Sequence, residues 1–401
     1  MFDLNQFIAE HITRRPTSLF AEDLAARDGE LRARIDGKRV LVIGGAGTIG
    51  SSFIRALLRF APAGLVVVDT NENGLTELTR DLRSSTAVTV PKEYRTYPIS
   101  FADPVFRKLF ANDPPFEIVA NFAAHKHVRS EKDHYSIEAM VRNNVIDAKS
   151  LLDLLLGRPP ERFFCVSTDK AANPVNVMGA SKKLMEEAIL AYSRDMPIST
   201  ARFANVAFSN GSLLYGFNER LARRQPLSAP NDVRRYFVSP DESGQLCLLA
   251  CVCGGSGDIF YPKLGEEQMM TFSKIADAYL EARGLTPKPY PTAAAARAAA
   301  EAWQPGQPYP VYYFATDTSG EKGYEEFFTE LEARDEDSFL QLGVIKNAPR
   351  PRLDDVERAI ARLKLVFAKA HTTKADVVAA MGELIPGFAH LETGRGLDQK
   401  M

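Results

Sequence analysis

A doubly wound parallel α/β sheet is the fold this 401-residue sequence predicts, and three observations predict it. Short, nearly continuous apolar runs recur from Arg39 onward. Segments with helical apolar spacing lie between them, and a glycine-rich turn joins the first run to the first helix. Such runs suit parallel strands covered on both faces, and strand–helix alternation builds a sheet with crossover helices. The chain is long enough for one large domain with a lobe, or for two domains.

Residues 1–37 read as short amphipathic helices, an arm ahead of the first strand. The strands are RVLVI (Arg39–Ile43), LVVV (Leu65–Val68), EIVANF (Glu117–Phe122) and RFFCV (Arg162–Val166). Helical patterns at Ser51–Phe60, Asn73–Arg83, Tyr135–Leu156 and Ser181–Ser193 separate or follow them. Residues 38–205 are therefore expected to form the sheet domain. Beyond Asn205 the rhythm loosens, as it would if residues 206–350 made a smaller C-terminal lobe with some segments returning to the sheet. Gly284–Pro310 reads as a spacer around one Ala-rich helix. Amphipathic helices at Asp354–Phe367 and Lys374–Leu384 close the chain within residues 351–401.

Composition narrows the function. Hydrophobic and charged fractions of 45% and 25% are those of a soluble globular protein. The net charge of -2, without like-charge blocks, argues against a generalised nucleic-acid binder, so an anionic ligand needs a local site. The most apolar run, Leu246–Cys253, is far short of the roughly 20 residues a bilayer requires. The N-terminus lacks a signal-peptide core, and the cytoplasm is the expected compartment. Cys165, Cys247, Cys251 and Cys253 complete no metal ligand set and read as small buried hydrophobes. No metal is expected.

The glycine turn is Gly44-x-x-Gly47-x-x-Gly50, after a strand and leading into a helix. Glycines there permit a tight turn, let backbone approach a pyrophosphate and pack helix on strand, while the helix N-terminus offers amide donors. Asp69 ends the next strand, 19 residues beyond Gly50, where an acid accepts hydrogen bonds from a ribose diol and repels a 2′-phosphate. The pattern predicts a Rossmann-type dinucleotide site with NAD favoured over NADP, although Arg80 and Arg83 lie in the following helix.

Three further stretches follow in order: NFAAHKHV (Asn121–Val128), VSTDKAANPVNVMGASK (Val166–Lys182) and RFANVAFSNGS (Arg202–Ser212). With them the chain resembles the extended short-chain dehydrogenases/reductases, and among these the bacterial nucleotide-sugar 4,6-dehydratases, those acting on UDP-N-acetylglucosamine above all. The similarity runs from about Lys38 to Leu280. Relatives carry Tyr-x-x-x-Lys where this chain has Met178 and Lys182, and a thioether has no proton to exchange. One branch of large, membrane-anchored members also has Met there, and this chain resembles a soluble form of their catalytic domain. The resemblance implies a catalytic set of Thr168, Asp169, Lys170, Met178 and Lys182. It implies cofactor contacts at Gly44, Gly47, Thr48, Ile49, Gly50, Asp69, Ala123 and Lys182. Substrate contacts are implied at Lys126, Asn205, Ser212 and Arg235, with Arg235 meeting the diphosphate. Ala204 and Ser100 depart from the usual Gly and from an adenine-contacting Asp.

The implied reaction oxidises C4 of a hexose, removes water across C5 and C6, and returns the hydride to C6. Asp169 is then the acid at C6 and Lys170 the base at C5, which requires the Lys170 pKa to fall from ~10.4 toward 7. With no tyrosine, Asp169 is expected to accept the C4 hydroxyl proton directly, through Thr168 or through water, and to deliver it later to the C6 hydroxyl. Asn144, with Asn143 as the near alternative, falls where the superfamily often keeps an Asn that bends a helix and positions water. His125 and His127 read as substrate contacts or packing. The expected product is the 4-keto-6-deoxy sugar nucleotide with C5 retained. A C5-inverting dehydratase, a 4-epimerase or 4-ketoreductase, and a silent nucleotide-sugar-binding protein are the other readings. A homodimer or larger homo-oligomer is expected to pair through Tyr135–Leu156 and Ser181–Ser193.

Overall fold

The computed structural model describes residues 2–317 and 319–394. Its centre is a nine-stranded sheet. Six strands come from the first half of the chain: β1 (Arg39–Ile43), β2 (Gly64–Val68), β3 (Glu93–Tyr97), β4 (Ile118–Asn121), β5 (Arg162–Val166) and β6 (Ile198–Ala201). Asp258–Pro262 adds a seventh parallel strand beside β6, and Leu342–Ile345 and Arg334–Asp335 extend that edge antiparallel. From the other edge the order is β3-β2-β1-β4-β5-β6, then these three. The chain thus reverses direction across the sheet between β1 and β4, which opens a crevice at their carboxyl ends.

Strands β1, β2, β4 and β5 lie within a residue or two of the predicted runs because both sheet faces bury them. Two strands leave no such mark. EYRTY of β3 is half-buried throughout at the sheet edge. ISTA of β6 buries two hydroxyls, satisfied when Ser199 Oγ donates to Ala250 O (2.7 Å) and Thr200 Oγ1 to Cys165 O (2.6 Å).

The predicted helix over Tyr135–Leu156 is instead three pieces, with a π-helical turn at Arg142–Asp147 between His134–Val141 and Ala148–Leu156. The helix after β5 begins before the predicted Ser181, at Val177, because the Asn176 side chain caps it by accepting from Gly179 N. All of its residues except Lys183 and Glu187 are buried. Helices Leu353–Phe367 and Lys374–Leu384 supply Val356, Ile360, Leu363, Val377 and Met381 to the same core. These C-terminal helices pack against the Val177–Ala191 helix, one of the two elements expected to pair with a second subunit.

A second, smaller core lies in the lobe, where Phe208, Phe217, Leu227, Tyr279 and Tyr309 pack together. The N-terminal arm is divided between the two cores. Phe7, Ile8 and Ile12 join the lobe, whereas Phe20, Leu31 and Ile35 join the sheet core. Between them Arg15 donates through Nε (2.9 Å) and Nη2 (2.8 Å) to the buried Glu242 at the start of the Pro240–Cys253 helix. Cys247 and Cys251 are buried on that helix.

Candidate active site

The glycine turn forms a cradle that any side chain would fill. Gly44 has φ +77°, and a Cβ there would lie 2.5 Å from Ala123 N. A Cβ on Gly50 would lie 2.3 Å from Gly44 O, so the helix can seat on the turn only as glycine. Asp69 braces the turn, its Oδ2 accepting from Ala46 N and its Oδ1 from Asn71 N, both at 2.9 Å. Gly44, Gly47, Asp69, Ser100, Ala123 and Asn143 border a cavity of about 220 Å³ over the crevice. Thr48 opens the Thr48–Leu57 helix, and its Oγ1 accepts from Asn210 N (2.9 Å), tying lobe to cradle. Ile49 is half-buried beside it.

The Thr168–Asp169–Lys170 segment turns sharply off the end of β5. Asp169 Oδ1 accepts from Thr168 Oγ1 (2.8 Å), Lys170 N (2.9 Å) and Lys170 Nζ (3.2 Å). Lys182 is buried and donates from Nζ to Val166 O (3.0 Å) at the same strand end, and burial draws its ammonium down. Met178 is buried, its backbone N donating to Glu131 Oε1 (2.9 Å). Asn144 sits in the π turn and bridges two elements. It accepts from His125 N and donates to His125 O, both at 2.9 Å, and donates to Ser181 Oγ at 3.0 Å. The extra residue of the π turn is what swings Asn144 toward the β4 loop.

Lys170 is not the lone base that the sequence motif implied. Its Nζ is 3.5 Å from Glu325 Oε1 as well as 3.2 Å from Asp169, and Glu325 is buried. Desolvation alone would lower the Lys170 pKa, but the Asp169 and Glu325 carboxylates outweigh it and raise the ammonium above its ordinary value. Burial pushes the Glu325 carboxyl up, opposed by Lys170. In the ligand-free chain the two carboxylates thus favour the charged form of Lys170.

Arg235 also departs from expectation. It is buried, and its Nη1 donates to the carbonyls of Arg234 (2.9 Å), Lys322 (3.0 Å) and Gly323 (3.2 Å). Its Nη2 lies 3.5 Å from Glu321 and 3.8 Å from Glu325, so it serves the protein's own carboxylates rather than lining the large cavity.

That cavity, about 490 Å³, lies between the β4 loop and the lobe and is bordered by Lys126, Arg129, Asn205, Ser212, Arg220 and Glu321 among others. Three expected substrate contacts thus share one wall. Lys126 is open to solvent yet ringed by protein in the concave wall, and that burial lowers its pKa. Burial, and then Arg129, lower Arg220 as well. Burial also lowers His125 and His127, with neighbouring cations adding to the effect on His127. Crowded cations of this kind gain when an anion enters. Asp169 and Lys170 line neither this cavity nor the one over the glycine turn; ion pairs link Glu321 on the wall through Arg235 and Glu325 to Lys170.

The sequence profile of the polysaccharide biosynthesis protein family matches residues 40–347. The chain belongs to the polysaccharide biosynthesis protein family. Within and around it, the probable polysaccharide biosynthesis protein EpsC of Bacillus subtilis is 29% identical over 61% of this chain and 42% of its own length. The chain therefore spans about two fifths of that relative. The UDP-N-acetylglucosamine 4,6-dehydratase (inverting) of Campylobacter jejuni is 25% identical over 57% of this chain and 68% of its own. The X-ray structure of Pen from Bacillus thuringiensis superposes with a TM-score of 0.63 at 20% identity, covering 80% of this chain and 90% of that one, which shows the shared fold. Among the described residues no helix is long and apolar enough to cross a membrane.

Sequence reasoning missed two features of this family member. Glu325 lies far along the chain in an acidic stretch that reads as a solvated loop. The second is a buried network in which Arg202 donates to Glu186 (2.8 and 2.9 Å) and Glu332 (2.9 and 3.0 Å), while Ser167 Oγ donates to Glu186 Oε1 (2.6 Å). It locks the ends of β5 and β6 to the Val177–Ala191 helix. The signal available for it was Glu186 on the apolar face of a predicted helix.

Proposed function

We propose that this chain is an NAD-dependent nucleotide-sugar 4,6-dehydratase of polysaccharide biosynthesis, whose substrate is UDP-N-acetylglucosamine. One observation carries the reading: a buried carboxylate, Asp169, touches both a hydroxyl and an ammonium at a strand end beside a dinucleotide cradle. An epimerase or reductase needs no such pair. The cations around the 490 Å³ cavity support a diphosphate ligand, and the Asp69 brace supports NAD over NADP.

A bound NAD would be held by Gly44, Gly47, Asp69 and Ala123 and would supply hydride chemistry at C4 and C6. The chain's own groups manage the protons. Thr168 Oγ1 already donates to Asp169 at 2.8 Å, so a C4 hydroxyl hydrogen-bonded to Thr168 can pass its proton to the carboxylate in two short steps. Asp169 then holds the proton the C6 hydroxyl needs to leave as water. Lys170 removes the C5 proton, and its return from the same face retains the configuration at C5. Lys182 holds the nicotinamide ribose, and Met178 excludes water where a tyrosine would stand.

Asp169→Asn decides the proton path. In a single turnover the variant is expected to lose the burst of reduced-cofactor absorbance by about 100-fold or more; a full-rate burst would transfer the C4 role to Lys182 or Lys170. Incubation with UDP-N-acetylglucosamine in deuterated water tests the activity itself. Loss of water with deuterium at C5 and no net cofactor change supports dehydration, whereas unaltered sugar removes this substrate. The product's C5 stereochemistry by NMR separates retention from the inversion named for the Campylobacter relative.

A further inference from the structure

We propose that Glu325 is a positioning residue that takes the Lys170 proton during turnover and so converts the ammonium into the amine that attacks C5–H. The inference rests on the dehydratase reading above. It starts from a contradiction on the page: a C5 base must be neutral, yet Lys170 rests between two carboxylates.

The geometry offers one exit for that proton. Lys170 Nζ faces Asp169 Oδ1 at 3.2 Å and Glu325 Oε1 at 3.5 Å. Asp169 is unavailable in the relevant step, because it has just received the C4 hydroxyl proton. Its neutralisation also removes one of the two anions that hold Lys170 charged. The proton then moves from Nζ to Oε1, an N–H bond breaking as an O–H bond forms, with no electron transferred. Arg235, 3.8 Å from Glu325 and 3.5 Å from Glu321, is a second cation beside the acceptor and favours its ionised form before Lys170 gives up its proton. The charged groups facing Lys170 are Asp169, Glu325 and Arg235, and those facing Glu325 are Lys170, Asp169, Arg235 and Lys322. Burial makes the protonated form of Glu325 accessible, as an acceptor requires.

An internal acceptor makes the supply of neutral amine independent of bulk pH. Without it, Lys170 must lose its proton to solvent before the sugar closes the site. The experiment measures deuterium incorporation at C5 and the reduced-cofactor burst, from pH 6 to 9, for the full chain and for Glu325→Gln. The wild type is expected to exchange with a flat profile. E325Q should keep its burst but exchange about 100-fold more slowly at pH 7, recovering about tenfold per pH unit. Glu325→Asp, which restores a carboxylate, should restore the flat profile at a lower rate, and it serves as the reference if E325Q fails to fold. In ligand-free protein, the pH midpoint for Lys170 labelling by an amine reagent should fall in E325Q, since an anion beside it is gone.

An E325Q profile parallel to the wild type, or an unmoved labelling midpoint, overturns the role of Glu325 and leaves the dehydratase reading standing. No C5 exchange in the wild type with the substrate bound overturns both.

Discussion

Asp69 shows how one side chain carries two duties. Its oxygens accept from Ala46 N and Asn71 N, so it holds the glycine turn in shape, and we propose that the same carboxylate meets the cofactor ribose. Replacing it with Ser keeps some hydrogen bonding and removes the repulsion of a 2′-phosphate. Asp69→Ser is expected to weaken NAD binding roughly tenfold, about 1.4 kcal/mol, while improving NADP binding relative to it; isothermal titration with both cofactors measures the ratio. An unchanged ratio would move cofactor selection to Arg80 and Arg83. At Asp169 the burial matters as much as the identity. Three donors converge on one oxygen, so the carboxylate is oriented before any sugar arrives.

At the scale of elements, the buried Arg202 network is what ties the Val177–Ala191 helix to the sheet. Burial alone would raise the Glu186 pKa, but Arg202 holds it below the usual range. Arg202→Met leaves Glu186 and Glu332 facing each other without a cation, which costs about 3–5 kcal/mol for a broken buried pair. Urea denaturation should register a loss of that size, and one below about 1 kcal/mol would make the network dispensable. A second link pins the C-terminal tail. Leu391 N donates to Val175 O (3.0 Å), while hydrogen bonds from Lys374 and Ser319 bring Glu392 down to about 2. A depressed carboxylate stabilises above its unfolded value near 4.5 and loses that contribution as pH falls toward 2. Amide exchange at Leu391 should therefore quicken between pH 4.5 and 2 relative to sheet amides, and Glu392→Gln should abolish that extra pH dependence.

Across the whole molecule, the C-terminal helices close over an apolar face of the sheet domain. They cover the Val177–Ala191 helix, with Leu184 facing Val356, Ile360 and Leu363 around a cavity of about 230 Å³. Removing residues 351–401 would bare that apolar face, and exposed patches of this kind drive association. The truncated chain is expected to self-associate in sedimentation experiments at concentrations where the full chain does not. Equal behaviour of the two would show that pairing uses another surface. The divided arm acts at the same scale: with Phe7 in the lobe core and Phe20 in the sheet core, Arg15 and Glu242 clamp the two cores together.

Much of this was readable from residues alone, for local reasons. Parallel strands buried on both faces must be apolar throughout, so β1 and β5 were found to the residue. The glycine turn needs φ and close approach that only glycine allows, and Asp169 beside Lys170 is adjacency written in the chain. Tertiary structure decided the rest, because electrostatics and packing depend on distance in space. It brought Glu325 to within 3.5 Å of Lys170. It turned Arg235 inward, bent the Asn144 helix through a π turn, and packed the last helices against the Val177–Ala191 helix.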